Sequence, residues 1–111
     1  ELDDTVGAER ISVAHRSGTF HSIEPDGSQM TRIVNDQYTV ICKDNEVHIG
    51  GKVNVVIMGD ATFDVGGDAT LDIGGDAKIT VEKTTAIESK ENLSVVAPEI
   101  SLNAGIIKLN S

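Results

Sequence analysis

An eight-residue repeat occupies the middle of the chain. Residues 59–82 read GDATFDVGGDATLDIGGDAKITVE, three near-copies of one phrase, and GKVNVVIM from Gly51 precedes them without an insertion. Within each copy the apolar residues fall on alternate positions, which is typical of a half-buried β-strand and excludes an amphipathic helix. Because eight is an even number, every copy keeps its apolar residues on the same face. The repeat therefore predicts a stack of short strands around one continuous interior.

The same pattern assigns corner and interior residues. Glycine at a corner allows positive φ angles or a close approach of another backbone, and the expected corners are Gly51, Gly59, Gly67 and Gly75. In the less regular copies that follow, Thr85 and Ser89 take inner positions and are expected to form polar rings about the axis, better suited to water than to a metal ion. The expected apolar interior consists of Val53, Val55, Ile57, Phe63, Val65, Leu71, Ile73, Ile79, Val81, Ile87, Leu93 and Val95.

The spacing of β-strands favours three chains over one. A single chain with one octad on each of three sides would use about 24 residues per turn and rise about 4.8 Å, which gives a squat stack with open edges. In three chains wound together, each strand lies between strands of its two neighbours, and no lateral edge stays free. A chain of 111 residues with 3% aromatic residues also has little core of its own. The expected fold is all-β: a homotrimeric, intertwined, triple-stranded β-helix or prism of octapeptide repeats.

Residues 1–46 are expected to form a β-structured neck, and residues 47–111 the octad-repeat shaft and its tip. The neck contains strand-like runs at 11–15, 19–23, 29–34 and 38–42, and Pro25-Asp26-Gly27 predicts a turn between the second and third runs. Cys42 is the one cysteine, and its alternation with apolar neighbours predicts a buried thiol. At the other end, a last corner is expected at 103–105. The blunt apolar tip that follows consists of Ile106, Ile107 and Leu109.

Four segments of this sequence together resemble a known family. They are LDDTVGAERI, HRSGTFHSIEPDGS, RIVNDQYTVI and NEVHIGGKVNVVIMGDA. This order is similar to the region after the lysozyme domain in the central tail-spike, or cell-puncturing, baseplate proteins of contractile-tailed bacteriophages. It also resembles the valine-glycine repeat spike proteins of type VI secretion. The resemblance implies a homotrimeric β-helical spike at the tip of the tail tube, which punctures the bacterial outer membrane during infection.

The resemblance also implies a location and partners. The protein is expected in the virion, at the tip of the tail baseplate, after synthesis of the parent protein in the host cytoplasm. Its expected partners are other baseplate and tail-tube proteins, transiently the host outer membrane, and a small PAAR-type tip protein on the C-terminal end. The family's oligosaccharide-binding-fold and lysozyme domains have no counterpart in this sequence. We therefore expect a C-terminal fragment that is not an enzyme.

Charge and motifs restrict the other function classes. The net charge of −9 and the missing basic patch argue against a nucleic-acid partner. No run of 18 apolar residues is available to span lipid, so the outer membrane would be crossed by force. A shaft from Gly51 onward would measure roughly 35 to 40 Å, against a hydrocarbon core of about 30 Å. The sequence lacks the common catalytic and cofactor motifs: a nucleophile elbow, zinc-ligand spacing, a P-loop and a dinucleotide fingerprint. We therefore expect neither catalysis nor a cofactor.

Two alternatives share the same residues. A calcium-binding β-roll or adhesin-type module is suggested by GGDATLDIGGDA, although the period is eight rather than nine and the third glycine is absent. The second alternative is a piece of a carbohydrate-active β-helix. The aspartates at equivalent repeat positions (Asp60, Asp68 and Asp76; Asp64 and Asp72) fit a solvated outer face, or a face where a cation offsets charge repulsion. The histidines His15, His21 and His48 form no recognisable metal-binding pattern.

Overall fold

Four antiparallel strands make up the regular secondary structure of the computed structural model, which describes residues 2–3 and 9–109. The strands are β1 (Leu2–Asp3), β2 (Arg10–Ala14), β3 (Phe20–Ile23) and β4 (Gln29–Arg32). They form one sheet in the order β1-β2-β3-β4. The described residues contain no helix. The all-β class is thus confirmed, and three of the four strand-like runs expected in the neck are strands.

Two tight hairpins connect β2 to β3 and β3 to β4. In the first, the N–H of Gly18 donates to the carbonyl of His15 at 2.9 Å, and the N–H of His15 donates to that of Thr19 at 2.8 Å. In the second, the N–H of Gly27 donates to the carbonyl of Glu24 at 2.9 Å. Gly18 and Gly27 have φ angles of 99° and 89°. Each hairpin is therefore a turn closed by a glycine in the left-handed region, as the PDG motif predicts.

Aliphatic side chains of β2 and β3 lie on one face of the sheet, and Ser22 lies on the other. Directly paired residues share a face, and the register pairs Ile11 with Ile23 and Val13 with His21. These aliphatic side chains are exposed. On the opposite face Ser22 is 4% exposed and is the one buried side chain among residues 9–109. Ile11, Val13 and Ile23 are therefore not covered by the described residues of their own chain.

An ion pair lies beside Ser22 on the same face of the sheet. The guanidinium of Arg10 contacts Oε2 of Glu24 through both Nε and Nη2, each at 2.9 Å. The Ser22 hydroxyl donates to Oε1 of the same carboxylate at 3.0 Å. Glu24 is thus held by strand β2 and by its own strand's end, which satisfies the polar groups of this face inside one chain.

Beyond β4 the backbone bends once every eight residues. Contacts divide the chain into two units, Glu1–Gly59 and Asp60–Ser111. In the first unit the bends lie at 34–35, 42–43, 50–51 and 58–59, and in the second at 66–67, 74–75, 82–83 and 90–91, with further bends at 98 and 105. The period thus begins inside the segment 1–46 expected to be the neck. The bend at 105 falls in the last corner predicted from the sequence.

The segments between these bends do not pair within one chain. Residues 33–109 contain no hydrogen-bonded strand, so the run expected at 38–42 and the strands expected in the octads are not formed in the single chain. An isolated octad has no neighbour at strand spacing in its own chain, because its next copy lies around a corner. The structure therefore leaves the octads between residues 33 and 109 without strand partners in the single chain.

Candidate assembly surface

The octads expose nearly all of their apolar side chains. No hydrophobic side chain is buried in the part of the chain that the structure describes. We number each octad from the second residue of its bend, so that Gly51, Gly59, Gly67 and Gly75 occupy position 1. Odd positions are called inner and even positions outer. Soluble proteins rarely expose large contiguous apolar surfaces unless they serve for association, so the inner positions form the candidate functional surface.

Exposure within the octads repeats with the same period. At position 5, Phe63, Leu71 and Ile79 are 84–88% exposed. At position 7, Val65, Ile73 and Val81 are 40–47% exposed. Residues at one position thus have similar surroundings in successive copies. The surface is an array of repeating apolar sites that the single chain leaves open.

One corner shows how inner side chains of successive octads meet. A groove at the bend 66–67 is lined by Phe63, Val65, Ala69 and Leu71, together with Asp68 and Thr70. Four of these six residues occupy inner positions of two consecutive octads. The concave side of the corner is therefore mostly apolar, with two polar residues contributing to its lining.

The corner glycines do not need their special backbone freedom in this chain. Each of the four expected corners lies at a bend, but the positive φ angles among the described glycines belong to Gly18 and Gly27. Positive φ is thus not used at Gly51, Gly59, Gly67 and Gly75 in this chain, and a close approach of another backbone there, the other role expected of a corner glycine, stays a prediction. A Cβ atom added at these four positions would also meet no atom within 4 Å. Any close backbone approach there must involve another chain.

The polar residues that the sequence analysis considered as metal ligands or axial rings do not form a site within the chain. Among the described residues no group of three histidine, cysteine or acidic side chains is placed to hold a metal ion. The Ser89 hydroxyl donates to the carbonyl of Asn92 at 2.8 Å, and Thr85 is exposed. His48 lies 4.0 Å from Glu46 at the surface. The Cys42 thiol is exposed, so its predicted burial was wrong for the single chain.

The register of the bends also differs from the alternation expected around Cys42. The bends at 34–35 and 42–43 place Tyr38, Val40 and Cys42 at outer positions and Ile41 at an inner position. The alternation of Tyr38, Val40 and Cys42 suggested the reverse. Counting back from Gly51 in steps of eight is the sequence signal that would have found this. The same count would have placed Tyr38 and Val40 at outer positions.

At the C-terminal end, the described tip residues Ile106, Ile107 and Leu109 are all exposed. No helix in the described part of the chain is long and apolar enough to cross a membrane.

Comparison with known proteins gives two relatives among phage proteins. The chain is 49% identical over 63 residues to Protein Gp5 of Vibrio phage KVP40, which covers 57% of this chain and 15% of that protein. It is 33% identical over 57 residues to the pre-baseplate central spike protein Gp5 of Enterobacteria phage T4, which covers 50% of this chain and 10% of that protein. No protein-family model matches the sequence.

The chain thus matches only a small part of each relative's length. Both relatives are Gp5 proteins, and the T4 protein is named as a central spike protein of the pre-baseplate. The resemblance to phage central spike proteins inferred from the sequence is therefore confirmed: over about half of its length, this chain is similar to part of these phage Gp5 proteins.

Proposed function

We propose that three copies of this chain wind into a β-helical shaft that serves as the membrane-piercing spike at the baseplate of a contractile phage tail. The observation that carries this proposal is the eight-residue period of exposed inner apolar residues. In a trimer, the inner positions of three chains would face one axis and exclude water. Each large aliphatic or aromatic side chain buried in this way contributes about 1.5–3 kcal/mol.

Backbone hydrogen bonding supports the same arrangement. The amide and carbonyl groups of 35–109 form no strand ladder within the chain, whereas an interior position would require partners for them. Strands of the two neighbouring chains at about 4.8 Å supply those partners. Glycine at the corners then leaves room for the neighbouring backbones, which explains why glycine occurs where the single chain has free space.

The dimensions suit penetration of an outer membrane. Counting from the bend at 34–35, the octads extend to residue 109, and a rise of about 4.8 Å for each gives a shaft of roughly 45 Å. This exceeds a hydrocarbon core of about 30 Å. Unfolding one chain would require breaking its ladders with two others, so the rod is stiff along its axis. Stiffness and length are what a structural piercing element needs.

The remaining assignments follow from the same role. The spike would reside in the virion baseplate, contact other baseplate and tail-tube proteins, and present Ile106, Ile107 and Leu109 to a PAAR-type tip protein. It would act without catalysis, a cofactor or nucleic acid. Thr85 and Ser89 would form polar rings around the axis rather than a metal site.

Light scattering on a sizing column, with and without a chelator, tests this proposal. The expected species has a mass of three times 11.7 kDa and persists with chelator and in detergent. A folded monomer would contradict the intertwined shaft. A species that unfolds when calcium is removed would instead support the calcium-binding β-roll.

A further inference from the structure

The outer positions of the first three octads, residues 35–58, carry large apolar side chains. Tyr38, Val40, Val56 and Met58 are 72–95% exposed. We call these four residues the outer apolar belt. They occupy positions 4, 6 and 8, the parity opposite to that of the inner array. In the proposed trimer, contacts between copies use the inner parity, so the belt would stay on the outside.

The next four octads lack such residues at outer positions. From 59 to 90 the outer positions hold Asp, Thr, Lys, Glu, Gly and one Ala. Position 6, for example, is Val in two of the first three octads and Asp at 64 and 72. Val96 is the one large aliphatic or aromatic side chain at an outer position of residues 59–98, and it is 91% exposed. Since a shaft needs only a solvated exterior, a cluster of four such residues at the start of the repeat indicates a local contact with another molecule.

Charges around the belt restrict the partner. Asp36, Asp44 and Glu46 occupy outer positions among the belt residues, with Lys52 as the one outer cation of residues 35–58. Three copies would repeat these carboxylates around the axis over a height of about 14 Å. A second spike would bring the same carboxylates together, which is unfavourable. A partner with an apolar patch framed by Lys or Arg would match both the belt and its charges.

We propose that the outer apolar belt is the docking surface for a different protein of the tail. This protein presents an apolar patch framed by basic residues and holds the spike at the N-terminal end of its octads. This inference rests on the proposed trimeric shaft, because the shaft determines which residues face outward. Apolar contacts provide the centre of such an interface, and the charged rim contributes orientation and association rate.

Site-specific photo-crosslinking in assembled tail particles tests the proposal. The photoreactive residue p-benzoylphenylalanine is placed at Val56 in the full-length protein, and as a matched control at Asp72, position 6 two octads later. After irradiation, cross-linked peptides are identified by mass spectrometry. We expect Val56 to cross-link to a protein other than the spike, at a segment containing aliphatic residues and Lys or Arg. We expect at least ten-fold lower yield from Asp72.

A triple variant gives an independent measurement. Tyr38→Thr, Val56→Asp and Met58→Glu introduce residues that later octads carry at the same positions, so the trimer should keep its mass and thermal stability. Incorporation of this variant into tail particles should fall at least ten-fold. Cross-links from Val56 only to other spike copies, equal yields at both positions, or normal incorporation would each overturn the belt proposal while leaving the trimer intact. A monomer by light scattering would overturn both proposals.

Discussion

The Thr19 hydroxyl oxygen accepts a hydrogen bond of 3.1 Å from the backbone N–H of Val34. Thr19 directly precedes β3, the second strand of the first hairpin. Val34 is the first residue of the first bend of the repeat. The same Val34 side chain lies 3.2 Å from the point where a Cβ on Gly18 would stand. The first hairpin therefore contacts the first bend of the repeat at Val34.

Removing this hydroxyl should loosen the start of the repeat. Thr19→Val keeps the shape but leaves the N–H of Val34 without its partner, and we expect a loss of about 1 kcal/mol in the free energy of unfolding. Urea denaturation at a fixed protein concentration measures this. Thr62→Val, at an exposed outer position, is the matched control and should change stability by less than about 0.5 kcal/mol. Equal effects of the two variants would contradict the capping role of Thr19.

The two turn glycines should respond differently to alanine. Gly27→Ala places a Cβ in open space, so it carries only the cost of a left-handed backbone, about 1–2 kcal/mol. Gly18→Ala carries the same backbone cost and also meets Val34 at 3.2 Å. We expect thermal denaturation to show a larger decrease in Tm for Gly18→Ala. An equal or smaller decrease would mean that Val34 moves away without cost.

Inner and outer residues of one octad should differ sharply in a trimer. Leu71→Ala would leave a cavity beside the axis in each of three chains, at about 2–5 kcal/mol per site. Its neighbour Thr70→Ala, at an outer position, should stay within about 0.5 kcal/mol of the parent protein. Unfolding monitored by circular dichroism, with the mass followed by light scattering, measures both. If Thr70→Ala dissociated the trimer and Leu71→Ala did not, the assignment of faces would be reversed.

The second hairpin should lose stability in acid through Asp26. The backbone N–H of Ser28, at 2.9 Å from Oδ1, and then the Ser28 hydroxyl lower the pKa of this carboxyl below its ordinary value. Because the folded-state pKa is the lower one, the stabilisation is present above the unfolded-state pKa. It is lost as pH falls from there through the folded-state pKa, below about pH 4.

The Tm of Asp26→Asn should therefore decrease less than that of the parent protein as the pH falls below about 4. Asp64→Asn, at an outer position of the shaft, serves as the control for removal of one negative charge. Differential scanning calorimetry across this range measures both variants, and NMR titration of the Asp26 carboxyl gives its pKa directly. A measured pKa at or above the ordinary aspartate value would refute the prediction.

Local chemistry alone was sufficient for the hairpins and for the repeat period. Pro25-Asp26-Gly27 sets a turn through residues adjacent in sequence, and the alternation of Phe63, Val65 and their equivalents follows from the two-residue period of a strand. The strands at Arg10–Ala14, Phe20–Ile23 and Gln29–Arg32 were within reach of the sequence because their partners are a few residues away. Trimer formation was predicted on the same grounds and stays a prediction.

The start of the repeat depended on the tertiary structure. Between 38 and 41 the sequence reads YTVI, with apolar residues at both parities, so alternation by itself permits either face to be the inner one. Val34 is placed by a hydroxyl fifteen residues earlier, and that contact sets the first bend. The sequence by itself determined the period and the hairpins, because both arise from neighbouring residues. Only the tertiary structure decided that the period extends back to residue 34, because that first bend lies against the hairpin through a contact between distant parts of the chain.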